Sequence, residues 1–311
     1  MTEPRNRYQG RPLPRPDDEL VDQGLGFDLG TLLSRRRMLT ALGLGAVTVG
    51  LAACSSGTTS SAAATTSEGE IPDETAGPYP GDGSNGPNAL TDSGIVRSDI
   101  RSSFGTGSAV AQGVPMTLEL TITDLANGGT PFAGTAAYVW HCDRDGNYSM
   151  YADGLEDENY LRGVQIADAN GLVRFTSIVP ACYSGRWPHI HFEVYPDQAS
   201  ITDSANAIAT SQVALPEDTC TAVYATAGYE SSVRTLSQVT LDSDNVFGDD
   251  GGVSQLATVT GDVTTGFTVA LTAPVDTRTE PSGGSAPAGG GGGGGGGAPP
   301  GGGQGGPPAR N

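Results

Sequence analysis

The stretch PACYSGRWPHIHF, residues 180–192, decides how the rest of the chain is read. In an extended strand, side chains i and i+2 leave by the same face, so His189 and His191 project together while Ile190 turns the other way. The protein has only three histidines. Two of them side by side on one face point to an ion held between imidazoles. A strand whose polar face simply carries two histidines is the plainer account of the same pattern.

Outward from this strand, apolar and polar residues alternate over 116–123, 136–142, 172–178, 189–195, 208–215, 255–260 and 267–271, as half-buried strands do. Asn127-Gly128-Gly129, Asp145-Gly146-Asn147 and Asn170-Gly171 mark turns between them. Only residues 219–227 read as helix. Many short strands with glycine-rich turns predict an all-β fold with little helix, a β-sandwich or barrel rather than alternating βα units, and a single β-sandwich domain is the expected form. The polar loop 149–163 is long for a compact β domain and is expected to be functional, with Tyr148 at its start.

The two ends have a different character. Ser34-Arg35-Arg36-Arg37-Met38-Leu39 reads as a twin-arginine signal, followed by an apolar run that ends in Leu51-Ala52-Ala53-Cys54. The run resembles a lipoprotein cleavage box, so residues 1–54 are expected to be a signal and Cys54 the lipid-bearing residue. An uncleaved anchor competes, although the run is shorter than the ~20 residues that a spanning helix needs. Either way the domain is expected to be exported, held by lipid at the outer face of the cell membrane. Residues 55–71 read as a flexible tether and residues 72–278 as the folded domain. The Gly/Pro-rich residues 279–311 cannot bury enough apolar surface to offset ordering and are expected to be disordered.

The net charge is −19, with no lysine anywhere in the chain. Such a surface repels nucleic acid and anionic headgroups, so contact with a membrane is expected through the lipid alone. With Cys54 set aside, Cys142, Cys182 and Cys220 remain. One disulfide is expected in an exported protein, and the pair stays open. No Cys-x-x-Cys spacing supports a zinc site.

Four segments occur in order: TAGPYP at 75–80, VWHCDRDGNY at 139–148, IVPACY at 178–183 and RWPHIHF at 186–192. Together they resemble the intradiol ring-cleavage dioxygenases of the catechol and protocatechuate type, over roughly residues 72–220. The resemblance implies a non-haem iron(III) held by Tyr148, Tyr183, His189 and His191. It implies ring cleavage of a catecholic compound with dioxygen, between its two hydroxyl-bearing carbons, to give a muconate-type product. A homo-oligomer is left open. Hard phenolate donors favour ferric over ferrous iron, which accords with the proposed ligand set.

The resemblance also implies that Arg186 stabilises negative charge at the ring carbon that dioxygen attacks, and that Gln212 acts near the metal. It implies that Thr75, Gly77, Pro78, Tyr79 and Trp140 line the substrate site. Plainer accounts are an arginine paired with an acidic group, a glutamine on an ordinary strand face, a turn before the first strand and a core tryptophan. Trp187 and Pro188 depart from the catechol-type pattern, which implies a different pocket wall there. Two other functions fit the residues. His189, His191 and Glu193 on one face suit a cupin-like metal oxygenase, and a non-catalytic lipoprotein that binds a metal or an aromatic ligand needs the same side chains.

Overall fold

The computed structural model describes residues 7–8, 11–12 and 67–281. Residues 7–8 and 11–12 form a short antiparallel ladder in a unit made of residues 1–59 and 288–311; the sandwich lies in the other unit, residues 60–287. Apart from those four residues, the signal at 1–54 with Cys54 falls outside the described residues, as do most of the 55–71 tether and nearly all of the 279–311 tail.

Strand β1, Pro115–Asp124, buries Met116, Leu118, Leu120 and Ile122 while the residues between them stay partly exposed. This period of two is what a sheet with one covered face requires. A short strand β2, Thr130–Pro131, pairs with the end of β1. Strands β3, Ala136–Trp140, and β4, Arg162–Ile166, follow, then β5, Leu172–Ile178, and β6, His189–Tyr195. Strand β7, Ala209–Ala214, leads to helices α1, Glu217–Tyr224, and α2, Glu230–Leu236. Strands β8, Thr258–Asp262, and β9, Gly266–Val275, complete the domain.

One sheet runs β8-β9-β1-β2, with β5 also paired to β1; the other runs β4-β3-β6-β7. All pairings are antiparallel except β9 with β1. The inner faces meet through Leu118, Leu120, Phe175, Val269 and Ala273 on one side and Val139, Ile190, Phe192, Val194 and Val213 on the other. Each large apolar side chain so buried contributes about 1.5–3 kcal/mol. The opposite face of the second sheet carries a separate cluster that includes Tyr138, Trp140, Tyr148 and Tyr195. That face holds the site.

Several expectations need correction. Strand β4 was not expected, because the fully buried Arg162 and Gly163 disguise it as loop. The expected strand 255–260 begins only at Thr258: Gln255 is buried and Leu256 exposed, against the assumed alternation. Strand β9 runs on to Val275 through Pro274, beyond the point where β8 pairs with it, so the missing N–H of Pro274 breaks no ladder on that side. The helix expected at 219–227 ends at Tyr224, and α2 is additional. Cys142, Cys182 and Cys220 are buried and unpaired, so the expected disulfide does not form among them. Among the described residues, no helix is long and apolar enough to cross a membrane.

The Asn170-Gly171 turn is legible and tightly built. Gly171 has φ +74°, and an added Cβ would lie 2.2 Å from the Ile122 carbonyl oxygen. Gly128, at φ +77°, faces open space. Gly171→Ala is therefore expected to lower stability by well over ~1 kcal/mol, and by more than Gly128→Ala, in chemical denaturation. Equal losses would show that φ alone, and not the clash with β1, constrains the turn.

Candidate metal centre

Register across the second sheet builds one wall of the site. Arg162 lies opposite Trp140, Trp140 opposite His191, and His191 opposite Gln212, so the four side chains form one row across β4, β3, β6 and β7. His189 stands two residues earlier on β6, on the same face. Tyr148 comes from the segment after β3, and Tyr183 from the segment between β5 and β6.

These four side chains converge. Tyr148 Oη lies 3.3 Å from Tyr183 Oη, Tyr183 Oη lies 3.1 Å from His189 Nε2, and His189 Nε2 lies 3.1 Å from His191 Nε2. Donors about 2.0–2.1 Å from a shared ion at 90–109° would be about 2.9–3.4 Å apart, so the set fits a coordination sphere. His189 Nδ1 lies 2.5 Å from the Trp187 carbonyl and donates to it, which leaves the Nε2 lone pair facing the centre. His191 stacks on Trp140 at 4.9 Å and 6°. Its Nδ1 has no hydrogen-bond partner among the described residues.

Burial, followed by the nearby Arg186 charge, holds His189 well below the usual imidazole range. Burial, then His189 and Arg186, does the same for His191. Both imidazoles are therefore favoured in the neutral form that metal ligation would require. Burial raises the Tyr148 phenol, with Tyr183 adding to the effect; it also raises Tyr183, where Arg186 opposes it. Among the described residues no group of three His, Cys, Asp or Glu side chains is arranged for a metal. The candidate centre is a mixed one, in which phenols supply half of the donors.

Arg186 borders this centre. Its NH1 is 3.4 Å from His189 Nε2, its NH2 donates to Gln212 Oε1 at 2.6 Å, and its Nε donates to Asp244 Oδ2 at 2.9 Å. Gln212 Nε2 donates in turn to the Thr75 carbonyl at 2.9 Å. Gln212 is thus a brace between Arg186 and the 75–80 segment. Phe247 approaches from beyond the sheets, its ring 6.5 Å from His189 and 5.8 Å from the Arg186 guanidinium.

The 75–80 segment closes the other side. Gly77 has φ +72°, and a Cβ there would sit 3.3 Å from His191 Cε1, so glycine permits the close approach. The half-buried Tyr79 ring lies 5.0 Å from Tyr148 and 5.2 Å from Tyr151, while Pro78 is exposed at the rim. Arg162, only 1% exposed, ties the segment down. It donates to the Pro80 and Tyr79 carbonyls at 2.7 and 3.0 Å, and to the Ser149 carbonyl and hydroxyl at 2.9 and 3.1 Å. Trp140 is fully buried behind His191, so it backs an imidazole and does not line the mouth.

Other candidates are engaged elsewhere. The Trp187 indole donates to the Leu215 carbonyl at 2.8 Å and packs in the inter-sheet core. His141, pushed down to about 4 by burial, is bonded to the Cys142 carbonyl and the Ser177 hydroxyl, both at 2.7 Å. Glu193 accepts from Tyr195 Oη at 2.7 Å and shares a hydrogen bond with Asp82; burial, then Asp82, raises it to about 8. That commitment leaves the His-x-His-plus-carboxylate arrangement without its third ligand. Asp244, Phe247, Arg162 and Tyr151 were not foreseen. Of these, only Arg162 had a readable signal, the alternation of Val164 and Ile166 with Gln165 just after it.

Comparison with known proteins follows the same lines. Residues 98–202 match the model of a family described as dioxygenase, about a third of the chain. Over 91 residues the chain is 32% identical to chlorocatechol 1,2-dioxygenase from Rhodococcus opacus, covering 26% of this chain and 35% of that protein. The chain therefore aligns with little more than a third of this curated relative. An intradiol ring-cleavage dioxygenase from Tetranychus urticae has a similar structure, with TM-score 0.51 and 22% identity over 67% of this chain and 94% of its own. A second solved dioxygenase gives TM-score 0.53 at 21% identity, with the same two coverages. At these identities the likeness is one of fold.

Glu74, beside the segment that closes the site, carries a testable electrostatic signature. Burial, then repulsion from Asp249 and Asp250, raises it from 4.5 to about 7; a hydrogen bond with Gln255 and the charge of Arg186 oppose the rise. The folded state thus favours the neutral carboxyl. Its contribution to stability is full below pH 4.5 and is lost as pH rises through about 7. Glu74→Gln is expected to flatten the fall in thermal midpoint between pH 4.5 and 8. A gap between variant and unaltered protein that stays constant over this range would refute the assignment.

Proposed function

We propose, from the match of residues 98–202 to a dioxygenase family and the 32% identity to a chlorocatechol 1,2-dioxygenase, that this chain is an intradiol ring-cleavage dioxygenase: it opens a catecholic ring between the two hydroxyl-bearing carbons, incorporating both atoms of dioxygen to give a muconate-type product. The observation that carries this reading is the run of 3.1–3.3 Å separations joining Tyr148, Tyr183, His189 and His191. Two phenols and two neutral imidazoles suit a hard trivalent cation better than a soft or divalent one. A ferric ion held by these four residues would supply the electron acceptance that makes a bound catecholate ring reactive toward dioxygen.

The remaining roles belong to the protein. The flat faces of Tyr79 and Tyr148, 5.0 Å apart, bound the approach to the centre and orient an aromatic ring near it. Arg186 presents a fixed guanidinium beside His189, positioned to stabilise negative charge that develops on the ring. Gln212 and Asp244 hold that guanidinium at two of its nitrogens, so it need not reorganise during reaction. Burial of Tyr148, His189 and His191 keeps bulk water from the reacting carbon. No external reductant is consumed in the overall reaction, which agrees with work outside the cell.

Export and anchoring form part of the same proposal. The twin-arginine segment would deliver a folded, metal-loaded domain, and lipid on Cys54 would retain it at the outer face of the membrane. Cys54→Ser is expected to move the protein from the membrane fraction to the medium; retention in membranes would exclude lipid as the anchor.

The central test is metal analysis, a visible spectrum and oxygen uptake with catechol. Tyr183→Phe or His191→Ala is expected to remove the tyrosinate-to-iron absorption and all activity. Arg186→Ala is expected to keep most of the iron and lose about 10²-fold or more in kcat. Full turnover in Arg186→Ala would refute its role, and iron-dependent colour without oxygen uptake would make the protein a binder.

A further inference from the structure

Asp244 lies 58 residues beyond Arg186 in the chain, outside the dioxygenase segment, yet its side chain is wholly buried against the centre. Both carboxylate oxygens are fully used. Oδ2 accepts from Arg186 Nε at 2.9 Å and from the Trp187 backbone N–H at 2.6 Å. Oδ1 accepts from the backbone N–H groups of Val246 and Phe247 at 2.8 and 3.0 Å.

Each of these bonds reaches a group that touches the site. The bond to Arg186 Nε, with the Gln212 bond to NH2, fixes the guanidinium at two points and sets where NH1 stands against His189. The bond to the Trp187 N–H pins the residue whose carbonyl receives the Nδ1 proton of His189. The bonds to Val246 and Phe247 turn the chain so that the Phe247 ring packs on both His189 and Arg186. One anion therefore governs a cation, a histidine tautomer and an apolar wall.

We propose that Asp244 is the positioning residue of this centre, setting Arg186 and His189 together, so that the segment between α2 and β8 that carries Asp244 and Phe247 is part of the reacting unit. The catalytic side of the inference rests on the proposed ring cleavage; the positional side does not. A carboxylate bound to both a guanidinium and a backbone N–H has a geometry that an amide cannot reproduce, because an amide has one acceptor oxygen where two are used. Asp244→Asn must therefore release either the Arg186–Trp187 pair or the Val246–Phe247 pair.

The test uses the full chain in two states. In metal-free protein labelled with 15N-histidine, only three imidazoles contribute signals, so that of His189 can be resolved. Unaltered protein is expected to hold His189 as the Nδ1–H tautomer, and Asp244→Asn to give a mixture of tautomers. In iron-loaded protein, Asp244→Asn is expected to keep its iron, shift the visible band and lose about 10–100-fold in kcat with catechol, with KM changed much less. The double variant Arg186→Ala/Asp244→Asn is expected to lose clearly less than the product of the two single losses, since part of the effect of Asp244 passes through the arginine and the rest through His189.

This double variant also removes the buried charge along with its partner, so it keeps the test open if Asp244→Asn does not fold. An unchanged His189 tautomer together with an unmoved band would overturn the proposal, as would losses that multiply in the double variant. Coloured, iron-loaded unaltered protein that consumes no oxygen would count against ring cleavage, while the tautomer and the band would still decide the role of Asp244.

Discussion

The alternation of strand β6 is the constraint on which the site depends. Ile190, Phe192 and Val194 are buried in the inter-sheet core, and this fixes the rotation of the strand about its axis. With those residues turned inward, His189 and His191 have no direction left but the other face. A slip of one residue would send both imidazoles into hydrocarbon and three large apolar groups into the polar site. The geometry of the centre is thus enforced by hydrophobic packing on the opposite surface of the same strand, at a distance from any ligand.

The second sheet transmits this order sideways. Because opposed residues in a sheet share a face, the row of Arg162, Trp140, His191 and Gln212 is a consequence of register and not of separate loop conformations. Two members of the row then reach out of the sheet to the same short segment. Arg162 holds the Tyr79 and Pro80 carbonyls and Gln212 holds that of Thr75, so the mouth is suspended from the wall it faces. Gly77 can therefore lie against His191 without a loop of its own to stabilise it.

Much of this was legible because it is local. The period of two in 189–195, the alternation of β1 and β5, and the Asn170-Gly171 turn depend on near neighbours and on backbone sterics. The four donor residues could be picked out as ordered motifs, although nothing local brings Tyr148 to within 3.3 Å of Tyr183. What stayed hidden depends on the tertiary environment. Strand β4 carries a buried arginine where polarity implies loop, and α2 buries only Ser232 and so lacks an apolar stripe. Asp244 is one of 35 acidic residues in a chain of −19 net charge, and nothing in its neighbourhood separates it from solvated carboxylates. Only the fold brings it to Arg186.

The parallel pairing of β9 with β1 has a bearing on how the domain comes into being. Strand β1 lies at the centre of its sheet, but one of its neighbours is β9, the last strand among the described residues, and Ile71 N–H bonds to the Pro274 carbonyl at 2.8 Å. The opening and closing stretches of the domain are therefore stitched together, and neither can be satisfied alone. A nascent chain that already contains His189 and His191 still has a raw sheet edge, and it must wait through some eighty further residues before closure. Non-local pairing of this kind is expected to slow folding, and the interval of exposure before closure is where chaperone protection would matter most.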